Sequence, residues 1–243
     1  MIFRRRRRQD EADEPMEALP ATDEETAEAG EDRGLRPRPE GPWDIAEVEN
    51  PEEGRVDLGG ILVPVVEGME LRVEVANDQI VAATAIHGQS ALQLQPFAAP
   101  RSEGIWDEVR HEIAAGVTQQ GGIVDEVEGP LGPELRAHVP LQLPDGTYGT
   151  QLVRFVGCDG PRWFLRGVFS GQAAVQPETA GVLEAVFRGV VVVRGKEPMA
   201  PRDPIPLRLP PNAMSAGPQD EDERFDRDDL NPFERGPEIT EVR

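Results

Sequence analysis

The chain is poor in the residues that most often build sites. Among its 243 residues are one cysteine (Cys158), one lysine (Lys196), one tyrosine and three histidines, and aromatics make up only 5%. A lone thiol permits neither a disulfide within the chain nor a thiolate metal cluster, a pattern that fits a reducing, cytoplasmic setting. No apolar run approaches the ~20 residues that a membrane span needs, and the basic start is not followed by the apolar stretch of a secretory signal. Cationic charge is also short: 46 acids face 25 Lys and Arg, for a formal net charge of −21. That balance opposes general affinity for nucleic acid or anionic membrane and suits a basic partner or solubility.

The patterns of catalysis are missing as well. His87, His111 and His138 fall on three different predicted elements, and Glu108 with His111 forms only half of the paired motif of a dimetal bundle. Cys158 beside Asp159 reads either as a nucleophile served by His138 or, on its apolar surroundings, as a small packed side chain. Gly59-Gly60, Gly121-Gly122 and Gly129 to Gly132 lack the spacing of phosphate-binding loops and read as turns. The expectation is therefore no metal, no cofactor and no catalytic residue, with an enzyme as the alternative.

What is present divides the chain into three. Residues 1–40 hold the basic run Arg4, Arg5, Arg6, Arg7, Arg8, followed by acids with no basic residue from Asp10 to Asp32. Such a block is expected to be disordered, the arginines serving either as a tether to anionic lipid or RNA or as a leader neutralised by its neighbours. Residues 41–210 read as one α+β domain, and 211–243 as an acidic disordered tail. Within that tail Asn231, Pro232, Phe233, Ile239 and Val242 resemble a short docking peptide, or else an idle terminus.

The middle reads as a predominantly antiparallel sheet with two main helices. Strands are expected at 56–66, 70–75, 79–87 and 91–97, separated by Glu67-Gly68, Asn77-Asp78 and Gly88-Gln89. Ile105, Val109, Ile113 and Val117 then recur at helical spacing, with Trp106 widening the stripe, Ser102 as N-cap and Gly121-Gly122 as stop. Further strands follow at 123–127, 134–140, 151–158 and 162–169. Pro177 opens a second helix whose buried stripe is Val182, Leu183, Val186 and Phe187. The unbroken run Val190 to Val193 predicts a doubly covered strand. From Pro198 onward, prolines favour an extended path over the surface through Ile205, Leu207 and Leu209.

The densest set of costly residues is Asp159-Gly160-Pro161-Arg162-Trp163-Phe164-Leu165-Arg166-Gly167, a turn running into a strand. Period two puts Trp163, Leu165 and Phe169 on a core face, and Arg162, Phe164 and Arg166 on the other. Two guanidiniums roughly 13 Å apart, at about 3.3 Å per residue, either straddle an anionic or planar ligand or pair with nearby acids. Arg101 joins them in the expected binding surface.

Gly-Pro-Trp-Asp (41 to 44), Asp57-Leu58-Gly59-Gly60, Phe97-Ala98-Ala99-Pro100-Arg101, Gly104-Ile105-Trp106, Asp159 to Gly167, Val193-Arg194-Gly195 and Pro206 to Pro210 together resemble an uncharacterised family of acidic actinobacterial proteins, known only as a domain of unknown function. The element order is also similar to the PsbP-type α/β/α sandwich, an analogy of fold that carries no activity. The functional expectation is a non-catalytic interaction protein that binds a protein partner through its arginine and aromatic surface and its tails. Small-molecule binding in a cleft beside the Arg162 strand, and membrane or nucleic-acid tethering through Arg4 to Arg8, are the alternatives.

Overall fold

Alternating apolar and polar residues cut by turn glycines dictate hairpins, and in a computed structural model they form two meanders sharing one sheet. The structure describes residues 35–210, apart from 77–78, 102, 143–145 and 147. In chain order the elements are β1 (Trp43–Asp44), a 3₁₀ turn (Ile45–Glu47), β2 (Arg55–Asp57), β3 (Ile61–Pro64), β4 (Met69–Ala76), β5 (Gln79–His87), β6 (Ser90–Ala98), α1 (Trp106–Gln119), β7 (Ile123–Gly129), β8 (Gly132–Gln142), β9 (Tyr148–Gly160), β10 (Trp163–Gly171), α2 (Gln172–Val175), a 3₁₀ turn (Pro177–Thr179), α3 (Gly181–Gly189) and β11 (Val191–Val192). The expected strand at 56–66 is divided into β2 and β3, because Gly59 takes φ 81° and turns the chain.

The large sheet runs β4-β5-β6-β10-β9-β8-β7 and is antiparallel throughout. The β4–β6 and β7–β10 meanders meet where β10 pairs with β6, Phe164 opposite Phe97 and Arg166 opposite Gln95. β10 is thereby the central strand. A small sheet, β1-β11-β3-β2, carries β11 in its interior with Val191 and Val192 at 0% exposure, as the unbroken apolar run requires.

Each face of the large sheet has its own cover. On one, Trp106, Val109, Ile113 and Val117 of α1 pack on Leu135, Ala137, Val153, Phe155 and Phe164. On the other, Leu183, Val186 and Phe187 of α3 and Ile61, Val63 and Val192 of the small sheet pack on Leu92, Leu94, Val156, Trp163, Leu165 and Phe169. Burial of each such side chain stabilises by about 1.5–3 kcal/mol, so both covers are held firmly. Gly157 of β9 admits the first cover, because a Cβ there would strike the Trp106 ring, while one at Gly160 would strike the indole of Trp163 on the neighbouring strand.

Charge also enters the core. Arg154 on β9 is fully buried and donates to Glu134 on β8 (2.8 Å) and Glu184 on α3 (3.0 Å), with its guanidinium 5.0 Å from the Phe169 ring. Burial opposes its charge, yet the two carboxylates outweigh that and hold its pKa above the ordinary value. In α3, Glu184 is buried while Val182 is 37% exposed, so the expected stripe is corrected. Glu184 faces Arg154 across the interface with β9, and Leu183, Val186 and Phe187 remain buried.

The proline-rich extension is likewise corrected from a surface path. β5 and β6 pair only between Ala83–Leu94 and His87–Ser90, and the extension enters the fork where they part. Arg202 donates its backbone N–H to Ala98 O (2.7 Å), Ala98 donates to Asp203 O (2.8 Å) and Ile205 donates to Pro96 O (2.9 Å), while Leu207 bridges to Ile80. Pro204 and Pro206 have no N–H to offer, so the pairing stays local. Ile205 and Leu207 are buried, whereas Leu209 is exposed.

Candidate functional site at the β9–β10 turn

β9 ends at Gly160 and β10 starts at Trp163, leaving Pro161 and Arg162 as the link. Proline suits the first position by its fixed φ, but Arg162 occupies the second with φ 68°. Glycine or asparagine is the usual occupant of such a left-handed position. Arg162 is therefore a turn residue, not the first residue of the strand, and its side chain does not share a strand face with Phe164 and Arg166.

That pair is placed otherwise than expected. Phe164 is 1% exposed and lies in the α1 layer, its ring 5.8 Å from that of Trp106 and 6.1 Å from that of Phe97. Arg166 is 4% exposed, donates from Nε to Gln95 Oε1 (3.0 Å) and sits 5.4 Å from the Phe97 ring. Burial pushes its pKa down to about 10. The open platform of Arg162, Phe164 and Arg166 is corrected: α1, packed over β7, β8 and β9, reaches Phe164 through Trp106 and closes the platform there.

The structure instead gathers Arg162 with Arg101 and with Arg194. The Arg162 carbonyl accepts from the Ala99 N–H (3.0 Å) and from Arg194 Nε (3.2 Å), tying the turn to the segments that follow β6 and β11. Around this knot lies an open concavity of about 480 Å³, lined by Arg101, Arg162 and Arg194 with Ala99, Pro161, Pro198 and Met199. Arg194 also donates to Glu197 O (3.0 Å); burial and then the Arg162 charge lower its pKa. Among the described residues none of the three forms an ion pair, whereas Arg36, Arg38, Arg110, Arg154 and Arg202 each hold a carboxylate. The lining contains no carboxylate, imidazole or thiol. Arg194 is 9% exposed and gives Nε and Nη1 to backbone carbonyls, so the cations such a lining could offer an anion are chiefly those of Arg101 and Arg162, beside an apolar margin.

Neighbouring groups make the turn rigid. The Asp159 carboxylate accepts from the N–H groups of Ile105 (2.8 Å) and Trp106 (3.2 Å), so it caps α1 from across the structure. The helix thus starts at Trp106, and Ser102, the expected cap, lies outside the described residues. Burial raises the Asp159 pKa, the two N–H donors pulling the other way. Trp163 donates from Nε1 to Asp44 Oδ2 (2.8 Å) beneath the Arg38 guanidinium, 5.1 Å from its ring. Trp43 pairs beside Val191 through the short parallel ladder of β1 and β11.

Cys158 is half-buried, and burial pushes its thiol up to about 12. The three histidines sit on β5, α1 and β8, and among the described residues no group of three metal-ligating side chains occurs. Arg4 to Arg8 and the set Asn231, Pro232, Phe233, Ile239 and Val242 lie outside the described residues. Arg194 and Met199 escaped the reading of the residues as site members. The available signal was a lone arginine directly after the buried run Val190 to Val193.

No described helix is long and apolar enough to cross a membrane. A search of curated proteins finds no match to this chain. A family model described as a protein of unknown function (DUF3710) matches residues 41–216, and the chain belongs to that family.

Proposed function

We propose that this chain is a non-catalytic interaction protein of a cytoplasmic setting that takes an acidic segment of a partner protein on Arg101, Arg162 and Arg194. The observation that carries the reading is that three arginines line one open concavity, with no carboxylate partner among the described residues, in a chain of net charge −21. Proximity of Arg162 and Arg194 costs the empty site, and an incoming anion offsets that cost. Charge-assisted bonds to such groups contribute about 1.5–3 kcal/mol each. The proline and methionine margin gives a peptide's apolar side chains something to lie against. A small dianion would meet the same three cations, but the open, shallow form of the concavity suits an extended segment.

Fluorescence anisotropy with a labelled hexaglutamate peptide tests the proposal. Binding is expected to weaken as salt is raised from about 50 to 300 mM, in line with screening, and to fall at least tenfold in Arg101→Ala/Arg194→Ala. Binding that ignores both substitutions overturns the assignment. Displacement by millimolar pyrophosphate but not by excess unlabelled hexaglutamate would move the site to the small-anion reading.

A further inference from the structure

We infer that two copies of this chain pair edge to edge through β4, antiparallel about a two-fold axis at Leu71, joining two seven-stranded sheets into one. The contact lies apart from the arginine concavity and does not depend on it.

The large sheet ends at β4 on one side and at β7 on the other, and among the described residues each pairs with one neighbour only, β5 and β8. An edge strand offers its unpaired backbone groups to any chain that can lie beside it, and charge of one sign is a common way to deny them. β7 is denied in this way. Asp125, Glu126 and Glu128 give it three acids in seven residues and no base, so a second β7 would meet like charge. β4 differs: its exposed charges, Glu70 and Arg72, are of opposite sign and two residues apart.

That spacing sets the register. A contact between identical copies about a two-fold axis makes every pairing twice. An axis at Leu71 puts Glu70 of each copy opposite Arg72 of the other. An axis at Val73 would set Arg72 against Glu74, but Glu74 accepts from Thr84 Oγ1 (2.7 Å) and Gln93 Nε2 (2.7 Å), and the register with β5 shifts directly after it. At the other end Gly68 turns the chain with φ 75°, and Val66 O takes the Met69 N–H (3.1 Å). Leu71 is the middle of the regular edge, residues 69–73, that remains between these bounds. Arg72 and Glu70 already meet within the strand (2.8 Å), but an exposed contact of that kind contributes little, so exchanging it for a cross-strand pair costs little.

The same axis serves the other face of the strand. Met69, Leu71 and Val73 lie on the margin of the α3-side core and are only partly buried, as are Val56 and Val66. Pairing about Leu71 sets Met69 of each copy against Val73 of the other and Leu71 against Leu71, so each copy extends the apolar margin of its mate. Val65 and Val75, just before and after the run, are exposed and add to the surface left for a second copy to cover.

Sedimentation equilibrium of the full chain tests the inference, at about 150 mM salt, where the charge of −21 on each copy is screened beyond about 8 Å. A monomer–dimer equilibrium is expected between about 5 and 200 µM, the range suited to a small, weak interface. Glu70→Arg and Arg72→Glu each turn both cross-strand pairs into like charges, and each is expected to weaken the dimer at least about tenfold. Glu70→Arg/Arg72→Glu restores opposite signs and is expected to return to within about threefold of the unaltered chain. The two single variants, mixed, are expected to form a heterodimer, because a copy with two arginines then faces a copy with two glutamates. Both positions are exposed, so urea midpoints should stay close to that of the unaltered chain. A chain that stays monomeric, a dimer indifferent to either single variant, or single variants that stay apart when mixed overturns the inference.

Discussion

Replacing Arg162 by glycine should make the protein more stable while disabling its binding site. Arg162 has φ 68°, a left-handed conformation that costs a residue with a Cβ about 1–2 kcal/mol. Glycine escapes that cost but adds about 0.5–1 kcal/mol of chain entropy to the unfolded state. The net expectation is a gain of about 0.5–1 kcal/mol. Little opposes it, because the Arg162 side chain makes no ion pair among the described residues and the carbonyl that accepts from Ala99 and Arg194 survives the substitution. Arg162→Ala is the control: it removes the same guanidinium but keeps the Cβ, so the difference between the two variants isolates the backbone. Urea melts should place Arg162→Gly above Arg162→Ala by about 1 kcal/mol, a Tm difference of roughly 2–4 °C for a domain of this size. Both should bind hexaglutamate more weakly than the unaltered chain. If glycine is no more stable than alanine, the left-handed turn is not what Arg162 endures, and its conformation says nothing about function.

Three other outcomes follow from the same geometry. Arg154→Met should cost about 3–5 kcal/mol in urea unfolding, because it leaves Glu134 and Glu184 buried without their shared cation; part of that loss should return in the double variant with Glu184→Gln. Asp159→Ala should lose about 1–3 kcal/mol by stripping two N–H groups at the start of α1 of their acceptor. The Asp159 pKa is raised in the folded state, so its ionisation works against folding: its contribution is greatest below the unfolded value and declines as pH rises through the folded one. Stability profiles of the unaltered chain and Asp159→Asn should therefore converge or cross from about pH 4 upward, and parallel profiles would refute the shift. Cys158, with its thiol at about 12, should react with iodoacetamide at pH 8 on the order of a thousandfold more slowly than a free thiol; rapid labelling of the native protein would show that the site opens.

Local rules made most elements legible. The stripe Val109, Ile113, Val117 announced α1, and turn glycines with period-two alternation announced both meanders. They failed where one element completes another. Asp159 reads as a turn residue in its own neighbourhood, yet its carboxylate caps a helix that starts 53 residues earlier. Arg154 and Glu184 are 30 residues apart in sequence, and only their meeting across β9 and α3 makes burial tolerable for both. The proline run reads as a surface strap because nothing within it reveals that β5 and β6 diverge to receive it.

The candidate site shows the same division. Composition alone determined that this chain has one thiol, few imidazoles and a large excess of acid, and periodicity alone determined an α+β body with α1 against a sheet, because both depend only on residue type and near neighbours. Which arginines line the concavity was decided in three dimensions. Phe164 and Arg166 alternate as an outer face would, but α1 is seated over the sheet at Phe164 and stacks Trp106 there. Arg101, Arg162 and Arg194 are 61 and 32 residues apart in sequence. They come together because β6, β9 and β11 end where β10 begins, and hydrogen bonds from Ala99 and Arg194 to a single carbonyl draw their loops together.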